Sequence, residues 1–429
     1  MEEGIKAQEA KWKEVTDQCE KLLGKIGNIV HTDVPISKDE ANNVVVRTHG
    51  EKSTIIADGS ELGKLRHHEI MQCLGILEME RGSRVAGHRG YYLKGLGVML
   101  NQALINYGLT KLHGSGYTHV QPPYFMKKSI MEQTCQLSDF SENLYQVEGT
   151  DDNEALYLIA TSEQPISAMH MKEWIEPADL PYRYAGVSTC FRKEAGSHGR
   201  DVWGIFRVHQ FEKVEQFIYC DPSESWNELN RMIETSEEFY KGLGLCYQVI
   251  NIVSGELNDA AAMKYDLEAW FPGYDAYREL VSCSNCTDYQ ARALETRYAL
   301  KNTDDKMYVH MLNGTMCATT RTLCCILENY QTAEGVNVPE ALRPYMGGME
   351  FLPYDQKATT AFFKAKAEEE KRAAEAAKKK GGKKGGAAKE KDAGQKKPAA
   401  AQQQPEEVKG APKAAVQEIK FGTAVPELA

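Results

Sequence analysis

The segment from residue 191 to residue 215, FRKEAGSHGRDVWGIFRVHQFEKVE, is dense in arginine and could bind phosphate groups. Arg192, Arg200 and Arg207 surround a glycine-containing loop between two stretches of β-like sequence. Guanidinium groups pair bidentately with phosphate or carboxylate, so several within one loop could converge on a triphosphate. Charged residues in a hairpin are usually a solvated face, but the arginine density and the AGSHG turn favour a phosphate site.

Other side chains that could take part in binding or catalysis lie close to this loop or much later in the chain. Phe211 belongs to an alternating strand four residues after Arg207, while Glu194 and Glu215 bracket the hairpin. A further arginine, Arg321, occurs much later in the sequence TTRT. His209 lies in the strand of Phe211, and alternation places it on the opposite face from Val208 and Gln210, so we interpret it as structural.

The cysteines predict reduced, mostly buried thiols rather than a disulfide framework. They are 11 in number and scattered, and several lie inside apolar stretches, such as Cys73 and Cys324. Cys283 and Cys286 form one C-x-x-C pair with no second pair at zinc-ribbon spacing. Because a tetrahedral zinc site needs about four ligands, packing is favoured over metal binding, and no structural zinc is expected.

Composition is that of an ordinary soluble protein with two or three structural units. The chain has 429 residues, of which 42% are apolar and 26% charged. Its net charge of −10 argues against a generic nucleic-acid binder, although a local basic surface would still suffice for an RNA. No apolar run is long enough to span a membrane and the N-terminus is charged, so the cytoplasm is the expected location.

Apolar residues at helical spacing near the N-terminus predict a helix. The steps of three, four and seven residues place them on one stripe, formed by Ile5, Trp12, Val15, Cys19, Leu22, Ile26 and Ile29. Two interpretations remain open: an amphipathic helix lying on the main domain, or one strand of a coiled coil.

The middle of the chain predicts an α+β fold. Residues 39–90 look mostly polar and irregular, with a helix over residues 64–80, and apolar spacing predicts another helix before Gly114. From residue 157 onward, short β-like runs alternate irregularly with helices such as SWNELNRMIETSEEFYKGLG and TTRTLCCILENYQ. Strands in series without βαβ regularity indicate a central antiparallel sheet flanked by helices.

After residue 357 the sequence becomes rich in Lys, Ala, Gly and Glu, with almost no large apolar side chain. Such a segment cannot bury enough surface to offset its ordering entropy, so residues 358–429 are expected to form a disordered tail. A transient helix is expected near residues 364–378. The lysine clusters could contact RNA or act as a nuclear signal, but a solvated tail is the favoured interpretation.

Five segments in order resemble the seryl-tRNA synthetases, in the eukaryotic cytosolic form of this class II aminoacyl-tRNA synthetase family. The arginine-rich hairpin, about residues 185–217, resembles motif two of the class. The others are residues 90–125 (motif one, the dimer helix and its proline strand), 161–165 (TSEQP, the serine-pocket loop), 278–292 (RELVSCSNCTDYQAR, the metal-binding strand) and 309–331 (motif three). A match of five ordered segments is far more specific than any one of them.

The resemblance implies a site for ATP and Mg²⁺. Arg192 would grip the α-phosphate of ATP and the serine carboxylate, Glu194 would lie near the adenine amino group, and Phe211 would stack on adenine. Arg321 would cover the other face of adenine or hold the γ-phosphate. The remaining residues assigned to ATP are Arg207, Val208, Glu279 and Ser282; the last two would also be the Mg²⁺ ligands, and Arg192, Glu279 and Arg321 the catalytic set.

The resemblance also implies a serine pocket in which hydrogen bonds select the small polar substrate. Arg192 would share in it, together with Thr161, Glu163, Glu215, Asn313 and Thr315. Glu215 could accept from the ammonium and the hydroxyl together. Each Thr or Asn taken singly would more often be a turn or cap residue.

The implied domains are an N-terminal remnant of the coiled-coil tRNA-binding arm (residues 1–32), a class II catalytic domain (33–357) and the tail (358–429). The sequence begins where the second arm helix would be ending. Trp203 stands where the family has a polar or basic residue in the motif-two loop, and Ala293 where a second arginine follows YQAR. Both positions are loop or RNA-side positions in the family.

The resulting prediction is a homodimeric serine–tRNA ligase with serine, ATP, tRNA(Ser) and, where it exists, selenocysteine tRNA as substrates. Two alternatives remain: a serine-activating relative that loads a carrier protein, and a non-catalytic paralogue. Carrier-loading relatives hold zinc through a pocket cysteine, whereas this pocket has Glu279, Glu215 and Thr315. The presence of Arg192 and Asn313 argues against a degenerate site.

Overall fold

The computed structural model describes residues 2–23, 26–54, 65–134, 143–148, 155–194, 203–298 and 307–381. The chain divides into two units, residues 1–370 and residues 371–429. The AGSHG turn with Arg200, and the lysine clusters after residue 381, lie outside the described residues. All elements that carry candidate site residues belong to the first unit.

The strands account for most of the architecture. They are β1 (Val44–His49), β2 (Leu77–Glu78), β3 (Tyr92–Leu93), β4 (Thr118–Val120), β5 (Phe125–Lys127), β6 (Gln146–Val147), β7 (Leu156–Leu158), β8 (Trp174–Ile175), β9 (Tyr182–Phe191), β10 (Gln210–Cys220), β11 (Tyr247–Asn251), β12 (Met263–Phe271), β13 (Ala276–Asn285), β14 (Arg297–Tyr298), β15 (His310–Ala318), β16 (Gly335–Asn337) and β17 (Phe351–Pro353).

The helices alternate with these strands along the chain. They are α1 (Glu2–Leu23), α2 (His67–Cys73), α3 (Met79–Ala86), α4 (Leu96–Gly114), α5 (Lys128–Met131), α6 (Glu163–Ser167), α7 (Ser225–Gly242), α8 (Tyr289–Ala293), α9 (Thr319–Asn329) and α10 (Gln356–Gly381). Within the described ranges, no helix combines the length and the apolar character that crossing a bilayer requires.

One eight-stranded sheet organises the first unit, in the order β1-β11-β12-β13-β15-β10-β9-β4. Every neighbouring pair is antiparallel except β4 and β9, which run parallel. The predicted α+β architecture with a central antiparallel sheet flanked by helices is confirmed. The longest strands, β9, β10, β12, β13 and β15, lie between the shorter strands β1 and β11 on one side and β4 on the other.

A helical layer covers one face of the sheet and leaves the other face for the candidate site. On β10, Val214 packs against Gly108 of α4, and Gln216 donates to the Met232 carbonyl (3.1 Å) and the Ser236 hydroxyl (2.9 Å) of α7. Because side chains alternate along a strand, Lys213, Glu215 and Phe217 point the other way.

Helix α1 does not lie on the main domain. Trp12 is 73% exposed, and Ile5, Val15, Cys19 and Leu22 on the same stripe are also exposed. The first of the two open interpretations is therefore wrong, and the coiled-coil interpretation stays a prediction. Among the described residues, the chain is first fixed to the catalytic unit at Ile26, whose carbonyl accepts from the Tyr289 hydroxyl at 3.1 Å. The side-chain amide of Asn28 follows and donates to the carbonyls of Ala260 (2.9 Å) and Cys286 (2.8 Å).

Three expectations for local structure differ from what is observed. The polar stretch 39–90 contains strand β1, because the β-branched run VVV extends the edge of the sheet by pairing with β11. The single helix expected over residues 64–80 is two helices, since Gly75 adopts a φ of +66° and Leu77 and Glu78 pair with β3.

The boundary of the disordered tail at residue 358 is also wrong. Residues 356–381 form helix α10, because Phe362 and Phe363 pack against the main core and Lys366 pairs with Glu69 at 3.1 Å. These contacts supply the apolar burial that composition alone did not suggest. The tail after residue 381 stays a prediction.

Gly314 of β15 allows α7 to approach the sheet. A Cβ there would lie 2.5 Å from the Met232 sulfur and 2.7 Å from the Cys283 sulfur. We expect Gly314→Ala to lower the free energy of unfolding by about 1–3 kcal/mol in urea denaturation, the usual cost of overpacking. Gly114→Ala is the control, since a Cβ there meets nothing within 4 Å. Equal stability of the two variants would contradict this packing.

Candidate active site

A cleft of about 470 Å³, open mouth included, lies on the face of the sheet that the helical layer leaves free. Strands β10, β13 and β15, the start of α9 and the segment before β10 form its walls. Most residues assigned to ATP meet there. The lining consists of Arg192, Glu194, Phe206, Arg207, Val208, Phe211, Lys213, Glu279, Leu280, Thr315, Ala318, Thr320 and Arg321.

Arg192 and Phe211 face each other across the β9–β10 hairpin. The guanidinium carbon of Arg192 lies 5.2 Å from the centre of the Phe211 ring, a cation–π contact. The Arg192 backbone N–H donates to the His209 carbonyl at 2.9 Å, and Nδ1 of the His209 ring donates to the Arg192 carbonyl at 2.9 Å. His209 therefore fixes the end of the hairpin, as its predicted structural role requires.

Arg321 and Glu279 form the opposite wall. Arg321 donates from Nη1 to the Glu279 carboxylate and to its backbone carbonyl, each at 3.2 Å. Burial opposes ionisation of Glu279, but Arg321 and then Arg192 hold the pKa of its carboxyl below the ordinary value. The Arg321 guanidinium carbon also lies 5.0 Å from the Phe206 ring centre. This wall thus combines one arginine charge, one carboxylate and an aromatic face.

A β-bulge brings Glu279 and Ser282 to the same face of β13. Residues three apart on a regular strand point to opposite faces. Here Glu268 pairs with Glu279 and Leu267 with Val281, so Leu280 is the extra residue. Ser282 is not among the residues that line the cleft, but it lies opposite Asp266 in the register.

Glu194 is held by two arginines at the mouth of the cleft. Its carboxylate forms an ion pair with Arg207 and lies 3.8 Å from a guanidinium nitrogen of Arg89. Arg89 also donates to the Arg207 carbonyl at 3.2 Å. Glu194 has a φ of +37°, an uncommon conformation for a non-glycine residue, at the first position of the motif-two loop.

Two further predicted residues, Glu163 and Asn313, meet below the cleft. The Asn313 amide donates to Glu163 Oε1 at 2.9 Å, and the Gln290 amide donates to the same oxygen at 3.2 Å. Burial and then the nearby charge of Glu215 raise the pKa of Glu163 to about 7. The sequence analysis missed Gln290, which stands on the short helix α8 with no distinctive spacing.

Glu215 and Thr315 are also in contact. A lysine that the sequence analysis did not assign, Lys213, joins them. The Thr315 hydroxyl donates to Glu215 Oε1 at 3.2 Å, and Lys213 forms an ion pair with the same oxygen. A bulge between Val214 and Glu215 in the β10–β15 pairing sets these residues opposite one another. The period-two run of Phe211, Lys213 and Glu215 was the signal that could have identified Lys213.

Thr161 has a local role in this structure. Its hydroxyl accepts from the Glu163 backbone N–H at 3.3 Å, a turn contact that shapes the start of α6. Helix α6 presents Glu163 toward Asn313. The thiols of Cys283 and Cys286 are buried, and the Cys286 sulfur accepts from the Asn313 amide at 3.4 Å, which agrees with the packing interpretation.

Trp203 is anchored to the protein at the end of the motif-two loop. Its ring lies 4.6 Å from the Arg66 guanidinium carbon and 5.4 Å from the His68 ring. Its carbonyl lies 3.2 Å from Nε2 of buried His67, whose Nδ1 is 2.7 Å from Glu328. Burial opposes the charge, but Cys324 and Glu328 raise the pKa of His67 to about 10, so both ring nitrogens donate. Ala293 is an exposed residue at the end of α8.

A family model described as the tRNA synthetase class II core domain (G, H, P, S and T) matches residues 145–330. This range contains the described strands of the β9–β10 hairpin, strand β13 and all but the last residue of the motif-three segment. The cleft and the pocket below it lie within the matched region.

Proteins with high sequence identity include the cytoplasmic serine–tRNA ligase of Arabidopsis thaliana, 56% identical over 366 residues, covering 84% of this chain and 80% of the relative. The crystal structure of cytoplasmic serine–tRNA ligase from Naegleria fowleri in complex with AMP has a TM-score of 0.77 and 50% identity, covering 82% of each chain. The seryl-tRNA synthetase from Pyrococcus horikoshii complexed with ATP has a TM-score of 0.76 and 40% identity, covering 81% of this chain and 80% of that one.

The raised pKa of Glu163 predicts a pH-dependent stability. Between its ordinary value of 4.5 and about 7 the native state binds more protons than the unfolded state, so this residue's contribution falls as pH rises. The free energy of unfolding of Glu163→Gln, relative to that of the wild type, should therefore rise when the pH is raised from 4.5 to 7.5. The expected rise is on the order of 3 kcal/mol, at about 1.36 kcal/mol per pKa unit.

Urea denaturation at both pH values measures this difference. Glu256→Gln, at an exposed position, controls for the loss of one negative charge. A Glu163→Gln difference that is the same at both pH values would contradict the buried, proton-binding carboxyl.

Proposed function

Because the chain belongs to the seryl-tRNA synthetases of class II and is thus an ATP-dependent serine–tRNA ligase, we propose that seryl-adenylate forms along strand β10, between Phe211 and Glu215. The observation that carries this proposal is the continuity of the two halves of the site. A cleft rich in arginine, with an aromatic face, leads directly to buried carboxylates and hydroxyl groups.

In the ATP half, Phe211 offers a flat apolar face for adenine, and Glu194 could accept from the adenine amino group. The cation–π contact between Arg192 and Phe211 supports a guanidinium near the α-phosphate of an ATP whose adenine lies on Phe211. Arg207 and Arg321 would meet the outer phosphates, as arginine forks favour. Release of Glu194 and Glu279 from these arginines accompanies binding in this proposal, since both are paired now.

In the serine half, Glu215 would accept from the α-ammonium and Thr315 would address the hydroxyl. Glu163, Asn313 and the α6 turn at Thr161 complete the pocket. A buried site of this kind rejects alanine, because the missing hydroxyl leaves polar groups unpaired at a cost of about 1–3 kcal/mol each. The amides of Asn313 and Gln290 hold Glu163 in place through one oxygen.

The first step needs no catalytic base. The serine carboxylate is already ionised, so it attacks the α-phosphorus directly, and pyrophosphate leaves as the bond to its bridging oxygen breaks. Positive charge at the α-phosphate is therefore the main contribution of the protein, and Arg192 supplies it. In the second step a ribose hydroxyl of the tRNA attacks the seryl carbonyl and AMP leaves.

Glu279 and Ser282 are proposed ligands of Mg²⁺. Both supply oxygen, which this ion prefers, and the bulge at Leu280 turns both toward one face. Beside them, the buried Oδ1 of Asp266 has no hydrogen-bond partner among the described residues, which fits a cation nearby. Bound Mg²⁺ would add positive charge at the outer phosphates.

The relatives bear on the two alternatives. They are serine–tRNA ligases of high identity over most of this chain, which supports tRNA charging rather than a carrier-loading or non-catalytic role. The relatives named as cytoplasmic also indicate the cytoplasm as the site of action. The tRNA substrates, tRNA(Ser) and selenocysteine tRNA where it exists, are part of this proposal.

A homodimer through the motif-one segment is also proposed. Val98 and Met99 on α4, and Phe125 on β5, are 49%, 41% and 51% exposed, and Val85 and Tyr92 are exposed nearby in sequence. Exposed apolar side chains at this density are typical of an interface. The other face of α4 is buried against the sheet, so these residues are not needed for folding.

Arg192→Ala should reduce serine-dependent ATP–pyrophosphate exchange by about 10²–10³-fold, the usual loss when one group that stabilises transition-state charge is removed. Radiolabelled pyrophosphate incorporation into ATP measures this rate, and aminoacylation of total tRNA with labelled serine should fall with it. Arg372→Ala on α10, far along the chain at an exposed position, is the control. Near-normal exchange by the Arg192 variant would overturn the site assignment.

Met99→Glu should convert the dimer to monomer in sedimentation velocity, because a carboxylate buried without a partner is costly. Val46→Glu places the same charge at an equally exposed apolar residue, 44% exposed on β1, and should leave the dimer intact. A wild-type monomer, or a Met99 variant with unchanged mass, would refute the proposed interface.

A further inference from the structure

Lys213 is a buried cation inside the cleft, and the assignments above give it no role. It is only 7% exposed, and it lines the cleft together with Arg192, Phe211 and Thr315. Its ammonium pairs with Glu215 Oε1, the oxygen that also accepts from Thr315. Burying a lysine and a glutamate costs desolvation free energy even when they are paired. A purely structural role therefore does not account for this pair.

The location of Lys213 on β10 is between the proposed adenine and serine positions. Phe211, Lys213 and Glu215 share one face, and successive members stand about 7 Å apart at the usual rise of about 3.4 Å per residue. The register is fixed from both sides, since Lys213 lies opposite Ser188 of β9 and Ala318 of β15. An adenylate with adenine on Phe211 and its ammonium at Glu215 would pass its phosphate over Lys213.

We propose that Lys213 is a second cation at the reacting centre, which pairs with Glu215 before serine binds and with the α-phosphate afterwards. This inference rests on the proposed function. In the structure the Lys213 ammonium occupies the oxygen of Glu215 that the α-ammonium of serine would use. Serine binding therefore exchanges one ammonium for another at Glu215 and releases Lys213.

The released ammonium needs a new anion, because a buried charge without a partner is strongly disfavoured. The two substrates bring two anions to this point, the serine carboxylate and the α-phosphate, which repel each other as they approach. Arg192, in contact with the Phe211 ring, supplies one cation, and Lys213 supplies the other. A lysine suits this movement, since its compact charge sits on a flexible stem whereas the arginine fork is planar and rigid.

If Lys213 has this role, its replacement should lower kcat without raising the serine KM. In serine-dependent pyrophosphate exchange, Lys213→Met should lower kcat about 100-fold while the serine KM stays equal or falls, because the competing ammonium is gone. Lys213→Arg, which keeps the charge, should retain kcat to within about tenfold. Methylammonium added to Lys213→Ala should restore part of the lost rate in a saturable manner.

Lys241→Met, at an exposed position at the end of α7, is the matched control and should have wild-type constants. Thermal unfolding establishes that each variant is folded. Lys213→Gln, which can still donate to Glu215, replaces Lys213→Met if that variant unfolds, and it should show the same loss of kcat.

Two results would overturn the inference: a kcat within threefold of wild type in folded Lys213→Met or Lys213→Gln, or a raised serine KM at unchanged kcat. The latter would limit Lys213 to the serine pocket. Absence of serine-dependent exchange in the wild-type chain would instead refute the proposed function, so the two failures are distinguishable.

Discussion

The ion pair between Lys213 and Glu215 is a constraint on which the rest of the site depends, because two charges buried in the middle of a sheet must each keep a partner. Hydrogen bonding of β10 to both β9 and β15 fixes where those charges lie. Bulges in the pairing of β10 with β15 and of β12 with β13 then turn Thr315 and Glu279 toward the same face. The helical layer packs against the opposite face through Gln216 and Gly314. The chemistry of the site is thus set by strand register more than by any single loop.

The hydrogen bonds of His67, rather than strand register, hold the wall of the cleft formed by residues 203–207. His67 donates from both ring nitrogens, to Glu328 of α9 and to the Trp203 carbonyl, so the motif-three helix and the end of the motif-two loop are joined through one imidazolium. Phe206 follows in the chain and carries the cation–π contact to Arg321. Trp203 departs from the family pattern, but its contacts with Arg66 and His68 give it a packing role. This departure therefore lies outside the groups that would meet ATP and serine.

The sequence predicted the sheet, the major helices and most of the cleft, because alternation and helical spacing report directly on local structure. Arg192, Phe211, Glu279 and Arg321 were identified through ordered motifs and do meet in the cleft. Lys213 and Gln290 were missed since their importance comes from contacts across strands and from α8, which no local pattern encodes. The bulge at Leu280 could not be predicted either, because one extra residue leaves no compositional trace. A helix was expected only transiently near residues 364–378, and its docking onto the core through two phenylalanines was missed.

The most direct test of this account is a crystal structure of the chain with a non-hydrolysable seryl-adenylate analogue. We expect the adenine on Phe211, the phosphate-mimicking group between Arg192 and Lys213, and the α-ammonium at Glu215 in place of the lysine. An analogue bound with its ammonium away from Glu215, or with Lys213 still paired to that carboxylate, would contradict the arrangement of the reaction along β10.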